Sequence, residues 1–154
     1  MNITKAEAAA LGRRREQPVK QPGELIAIWC PGILKNPLNG AQYGRQKFAK
    51  ARYRVEWKAR VAQALLEARV GGPPRARDMI PVVVTFTAGV FHLFDSDGLQ
   101  AALKPCRDAL VECGVVSGDA ERHGHGWEYH QQIDRKRRGV TIRVSLRTTT
   151  EPTP

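Results

Sequence analysis

A chain of 154 residues with 42% hydrophobic content is long enough for one domain with its own core, and too apolar to be disordered by composition. Lysine and arginine total 25 against 15 acidic residues, a formal net charge of +10 that points to a polyanionic partner, nucleic acid before an anionic membrane surface. No stretch approaches the roughly 18 apolar residues of a membrane span, and the N-terminus lacks the charged-then-apolar layout of a signal peptide.

Thr4 with Glu7 reads as a capping box, and Ala8 to Leu11 favour a short helix ending near Gly12. Arg13 to Gly23 is polar and basic with two prolines, a linker. Glu24 to Cys30 (ELIAIWC) reads as a first strand, and Pro31 to Gly44 as a loop. From Lys47 to Arg69 there is no Gly or Pro, and Tyr53, Trp57, Val61, Ala64, Leu65 and Ala68 recur every three or four residues, an amphipathic helix. Gly71-Gly72-Pro73-Pro74 stops it.

Pro81 to Phe94, rich in Val and Phe with partial alternation, reads as the central strand. Leu99, Leu103, Cys106, Leu110 and Cys113 then set a second helix over roughly Gly98 to Cys113, with Gly114 as its cap. Pro105 inside it predicts a kink or an irregular first turn. Trp127 to Ile133 and Val140 to Leu146 read as a hairpin around the turn Asp134 to Gly139. The order argues an α+β fold with a mixed sheet: residues 1–23 as N-terminal helix and linker, 24–147 as the folded domain, 148–154 as a disordered tail. The three cysteines, Cys30, Cys106 and Cys113, form no Cys-x-x-Cys pair and read as small buried hydrophobes in a reducing cytoplasm.

Asp95 and Asp97 stand at the end of the central strand, where residues i and i+2 point to one side. Asp119 follows the second helix after the turn Gly114-Val-Val-Ser-Gly118, a path that can return it to the strand end. Two unit charges about 4 Å apart repel by about 4 kcal/mol at an effective dielectric near 20, so a cluster of carboxylates needs a cation. Hard oxygen ligands suit Mg²⁺, which keeps waters and binds phosphates. The bland alternative is a solvated strand-end turn. Lys104, seven residues after Asp97, lies about two helical turns on and can share its face, or can be an ordinary exposed lysine.

The stretch Asp95-Ser-Asp97-Gly-Leu-Gln-Ala-Ala-Leu-Lys104-Pro-Cys-Arg-Asp108-Ala-Leu110, followed by Gly114-Val-Val-Ser-Gly-Asp119, resembles the RusA family of Holliday-junction resolvases. That family shows Asp-x-Asp-Asn-Leu, a lysine, Asp-Ala-Leu, then a glycine-hydrophobic turn ending in paired aspartates. The resemblance covers about 30 residues strongly and implies a homodimer that nicks four-way DNA junctions symmetrically with Mg²⁺. It implies Asp95, Asp97 and Asp119 as metal ligands and Lys104 as the essential lysine. Gly98 stands where the family has Asn, Gly118 where it has the first paired aspartate, and three extra residues separate Asp97 from Lys104.

Lys35, Arg45, Lys47, Lys50, Arg52, Arg54, Lys58 and Arg60 face a single acid, Glu56, over Lys35 to Arg60. Lys47, Lys50, Arg54 and Lys58 recur as one helical stripe suited to phosphates, or form a solvated face. Arg135, Lys136, Arg137 and Arg138 make a second basic site. Tyr43 and Phe48 are candidates for base stacking or for core, and His123 and His125 for catalysis or an exposed loop. The expected activity is Mg²⁺-dependent endonucleolytic hydrolysis of branched DNA. The alternatives are a non-catalytic nucleic-acid-binding module, and a Mg²⁺ nuclease of flaps or forks.

Overall fold

The computed structural model describes residues 17–36, 45–68, 80–118 and 121–148; the predicted N-terminal helix and the last residues of the tail lie outside them. The elements are β1 (Glu24–Pro31), α1 (Arg45–Glu67), β2 (Val82–Val90), α2 (Ser96–Glu112), a 3-10 turn (Glu121–His123), β3 (Gly126–Ile133) and β4 (Gly139–Leu146). They form an α+β fold, a mixed four-stranded sheet in the order β1-β4-β2-β3 with two helices.

β2 alternates without a break: Val82, Val84, Phe86, Ala88 and Val90 are buried, and the residues between them are half-exposed. That period-2 pattern gives the sheet one apolar face. β1 adds Ile26, Ile28 and Cys30 to it, and β4 adds Val140, Ile142 and Val144. α1 covers this face with Trp57, Val61, Ala64 and Leu65, and α2 with Leu99, Ala102, Leu103, Cys106, Ala109 and Leu110. Tyr53 ties the helices together, because its hydroxyl donates to Ala102 O at 2.8 Å and accepts from Lys35 N at 3.3 Å. α2 continues through Pro105, whose ring is buried, and Gly114 (φ 73°) ends it in the left-handed conformation that glycine adopts at little cost.

β2, α2 and β3 form a crossover unit: β3 runs parallel to β2, from Val83 opposite Gly126 to Val90 opposite Ile133. β4 lies on the other side of β2 and is antiparallel to it. The two C-terminal strands and their turn therefore stand where the sequence predicts, and run in opposite directions, but β2 lies between them. The connection has to cross the end of β2, and it does so at Gly89, where a Cβ would come within 2.5 Å of Arg137 O. Asp134 shapes that crossing loop: its Oδ1 accepts from Lys136 N at 3.2 Å and from Arg137 N at 2.9 Å.

Candidate functional site

β4 is antiparallel to both β1 and β2, and β3 is parallel to β2, so β1, β2 and β3 all point one way. Their following loops, 32–36, 91–95 and 134–138, emerge at one edge of the sheet. Crevices outside the carboxyl ends of strands are a recurrent place for ligands, because loop side chains converge there.

Asp95 and Asp97 are at this edge and both are exposed. Asp95 is the N-cap of α2, in extended conformation (φ −68°, ψ 167°), and its Oδ1 accepts from Gly98 N at 2.8 Å. This satisfies one of the orphan amides of the first turn, where Asp97 also meets the positive end of the helix dipole. The bland role of the pair is thus partly real, since one oxygen of Asp95 is occupied by capping. Sequence reasoning missed a third residue here, Asn36 in the loop after β1. A Cβ at Gly98 would fall 2.6 Å from Asn36 Nδ2 and 2.4 Å from Asp95 Oδ1, so glycine at 98 makes room for an imported amide beside the carboxylate.

Lys104 lies on the same face of α2 as Asp97, about 10 Å further along the axis. Its Nζ is 2.9 Å from Asp108 Oδ1, an i,i+4 pair, and the side chain is 53% exposed. Asp119 lies outside the described residues. The described residues around it are at the far edge of the sheet: Ser117 Oγ is 3.3 Å from His123 Nδ1 and 2.8 Å from His125 Nε2, and His125 Nδ1 accepts from Val82 N, the first residue of β2, at 3.1 Å. A 17-residue helix carries the chain back by about 25 Å, the length of β2. Gly118 therefore stands at the opposite end of the sheet from Asp95, and the expected return of Asp119 to the strand end falls on a residue outside the described ones. His123 Nε2 fills the space beside Gly118, 2.4 Å from where a Cβ would stand.

The basic residues divide. Lys35, Arg135, Lys136 and Arg138 are exposed at the Asp95 edge, whereas Arg137 folds over the Trp29 ring at 4.4 Å. On α1, Arg52 and Arg54 are exposed and Lys50 half-exposed; the side chains of Arg45 and Lys47 lie outside the described residues. Lys58 leaves the proposed stripe, because its ammonium pairs with Glu112 and clips α1 to α2. Phe48 is 78% exposed, which excludes a core role, and Tyr43 lies outside the described residues. Burial pushes the Cys30 thiol up to about 12 and raises that of Cys106 as well, so both are inert core thiols, as the sequence predicts.

Among the described residues, no three His, Cys, Asp or Glu side chains come together as a metal-binding group, and no helix is long and apolar enough to cross a membrane. No protein-family model matches the chain, and no curated protein matches it.

Proposed function

We propose that the chain is a Mg²⁺-dependent endodeoxyribonuclease acting on branched DNA, of the Holliday-junction-resolvase kind. The observation that carries the reading is the composition of one edge: two exposed carboxylates, Asp95 and Asp97, at the same end of the sheet as the exposed cations Lys35, Arg135, Lys136 and Arg138. Cations at that edge attract the DNA backbone, and the acid pair repels phosphate unless a metal stands between them.

The donor set fits Mg²⁺. Asp97 is exposed, Asp95 has one oxygen outside its cap bond, and both are hard ligands that leave room for waters and phosphate oxygens. When bound, the ion supplies an activated water and neutralises charge on the phosphodiester. Asp95 and Asp97 would hold it, the loop cations would orient the strand, and Lys104 would assist electrostatically from the same helix face. Asp119, the third ligand that the resemblance implies, lies outside the described residues, and the neighbouring Gly118 and His123 lie a helix length from Asp97. One acid pair in each protomer suits a homodimer that makes two symmetric nicks.

The second reading, a non-catalytic nucleic-acid-binding module, is favoured by the capping role of Asp95 and the pairing of Lys104 with Asp108. Synthetic four-way, flap and linear DNA, incubated with the protein with and without Mg²⁺, separate the readings. Mg²⁺-dependent paired nicks in the four-way substrate are expected. Cleavage of flaps alone would move the chain to the flap and fork nucleases, and binding without any cleavage to the modules.

A further inference from the structure

The residue after β2 is Phe91, four positions before the Asp95 cap, and it is 44% exposed. An aromatic ring left in solvent at a charged edge calls for a reason. Two guanidinium groups approach it: Arg135 Cζ is 4.7 Å and Arg138 Cζ 6.0 Å from its centroid. The His92 ring meets it edge-on at 4.8 Å. Beside it opens a pocket of about 150 Å³ lined by Ile33, Leu34, Phe91, His92, Phe94 and Arg138, among others, with no acid in its wall. Ile33 at its lip is half exposed. Neither Arg135 nor Arg138 has a carboxylate partner among the described residues, and Asp134 turns its Oδ1 to the loop backbone.

We propose that this pocket takes an unpaired DNA base, stacked on Phe91, with the flanking phosphates held by Arg135 and Arg138. The inference rests on the DNA-binding reading given above and names the feature of DNA that this edge selects. Three properties converge on that ligand. The slot is apolar, as a base plane requires. Its rim is cationic, as the attached phosphates require. And it opens at the edge that carries the acid pair, so a strand whose base enters the slot runs past Asp95 and Asp97. A base paired within a duplex cannot reach the ring without unstacking, so the pocket discriminates for branch points and frayed strands, where bases are already free. Before DNA arrives the two arginines lie against the ring, a favourable cation–aromatic contact; they transfer to phosphate when the base replaces them.

The test is binding without divalent metal, so that cleavage plays no part. The full chain is titrated with oligo-dT and with a blunt duplex of equal length, as wild type, Phe91→Ala, Phe91→Leu and Phe91→Trp. Phe91→Leu keeps apolar bulk and so guards against a folding defect. The expected result is that Phe91→Ala and Phe91→Leu both weaken oligo-dT binding about tenfold, leave duplex binding within about twofold, and that Phe91→Trp restores the affinity. Equal loss on both DNAs, no loss on either, or full retention by Phe91→Leu overturns the stacking role while DNA binding stands. A drop from dimer to monomer in Phe91→Ala by sedimentation also overturns it, because a second copy then covers the ring. If the wild type binds neither DNA, the DNA reading itself fails and this proposal with it.

Discussion

The two edges of the sheet are built differently. At the amino edge of β2, polar groups are joined to one another: Val82 N to His125, His125 to Ser117, and Arg147 to Pro81 O at 3.0 Å and Gly124 O at 2.6 Å. At the carboxyl edge, Asp97, Lys35, Arg135, Lys136 and Arg138 remain exposed, and an aromatic ring faces solvent. One edge closes the fold; the other leaves charge and shape available to a ligand. Substitutions at the carboxyl edge should therefore alter function with the fold intact, and substitutions at the amino edge should alter stability.

The largest effect is expected at Asp97. Asp97→Asn keeps the shape but removes a negative charge that the proposed Mg²⁺ would need, so nicking of a four-way junction should fall by orders of magnitude while junction binding survives. Normal nicking by the purified variant would remove the metal assignment. Lys104 comes next. As an exposed i,i+4 partner of Asp108 it is worth less than about 0.5 kcal/mol in stability. Lys104→Ala should unfold at nearly the wild-type temperature yet lose single-turnover nicking, and Lys104→Arg should rescue poorly because a planar guanidinium does not replace a compact ammonium. Wild-type rates in Lys104→Ala would leave the lysine with its pairing role alone.

Gly89 sharpens the comparison from the backbone side. Gly89→Ala sets a Cβ against Arg137 O at 2.5 Å, which must displace the crossing loop at a cost of about 1–3 kcal/mol, and would move Arg135 and Arg138 with it. Gly126→Ala, whose Cβ would meet the Val83 side chain no closer than 3.3 Å, at Cγ2, should cost much less; thermal unfolding of the two variants reads the difference. On α1, replacing both Lys50 and Arg54 with Ala should flatten the log-log salt slope of DNA binding by up to about two, at about 0.9 per phosphate contact on duplex DNA. Lys58→Ala should hardly change that slope, because its charge is already matched by Glu112.

Much of the fold was legible in the sequence because it is written in local periods. The alternation of β2 and the three-to-four spacing of Trp57, Val61, Ala64 and Leu65 need no partner to be recognised. Pairing was not legible: that Val83 faces Gly126, and that β4 inserts between β1 and β2, depends on contacts distant in the chain. The Lys58–Glu112 and Asn36–Gly98 contacts are hidden for the same reason. The position of Gly118 was available in principle. The length of α2 fixes where the chain emerges, and that length returns it to the opposite edge from Asp95, a consequence that motif spacing alone conceals.

The smallest expected effect belongs to the amino edge. His125 Nδ1 accepts from Val82 N, so the ring is neutral with its hydrogen on Nε2, aimed at Ser117 Oγ. Burial lowers the pKa of His125 below its usual value, and the parallel His123 ring, 6.1 Å away, lowers it further. A histidine of depressed pKa stabilises the fold while neutral. That contribution is complete above the unfolded value of about 6.5 and is lost as pH falls through the lower folded value. Protonation would place a hydrogen on Nδ1 against the Val82 amide, leaving two donors face to face. The unfolding temperature should thus decline from pH 7 to pH 5.5, before carboxylates contribute strongly. His125→Asn, whose side-chain oxygen can accept from the same amide without titrating, should flatten that decline relative to wild type. An unchanged slope in His125→Asn would assign the pH dependence to another group and leave the Val82 contact as a hydrogen bond without a titrating role.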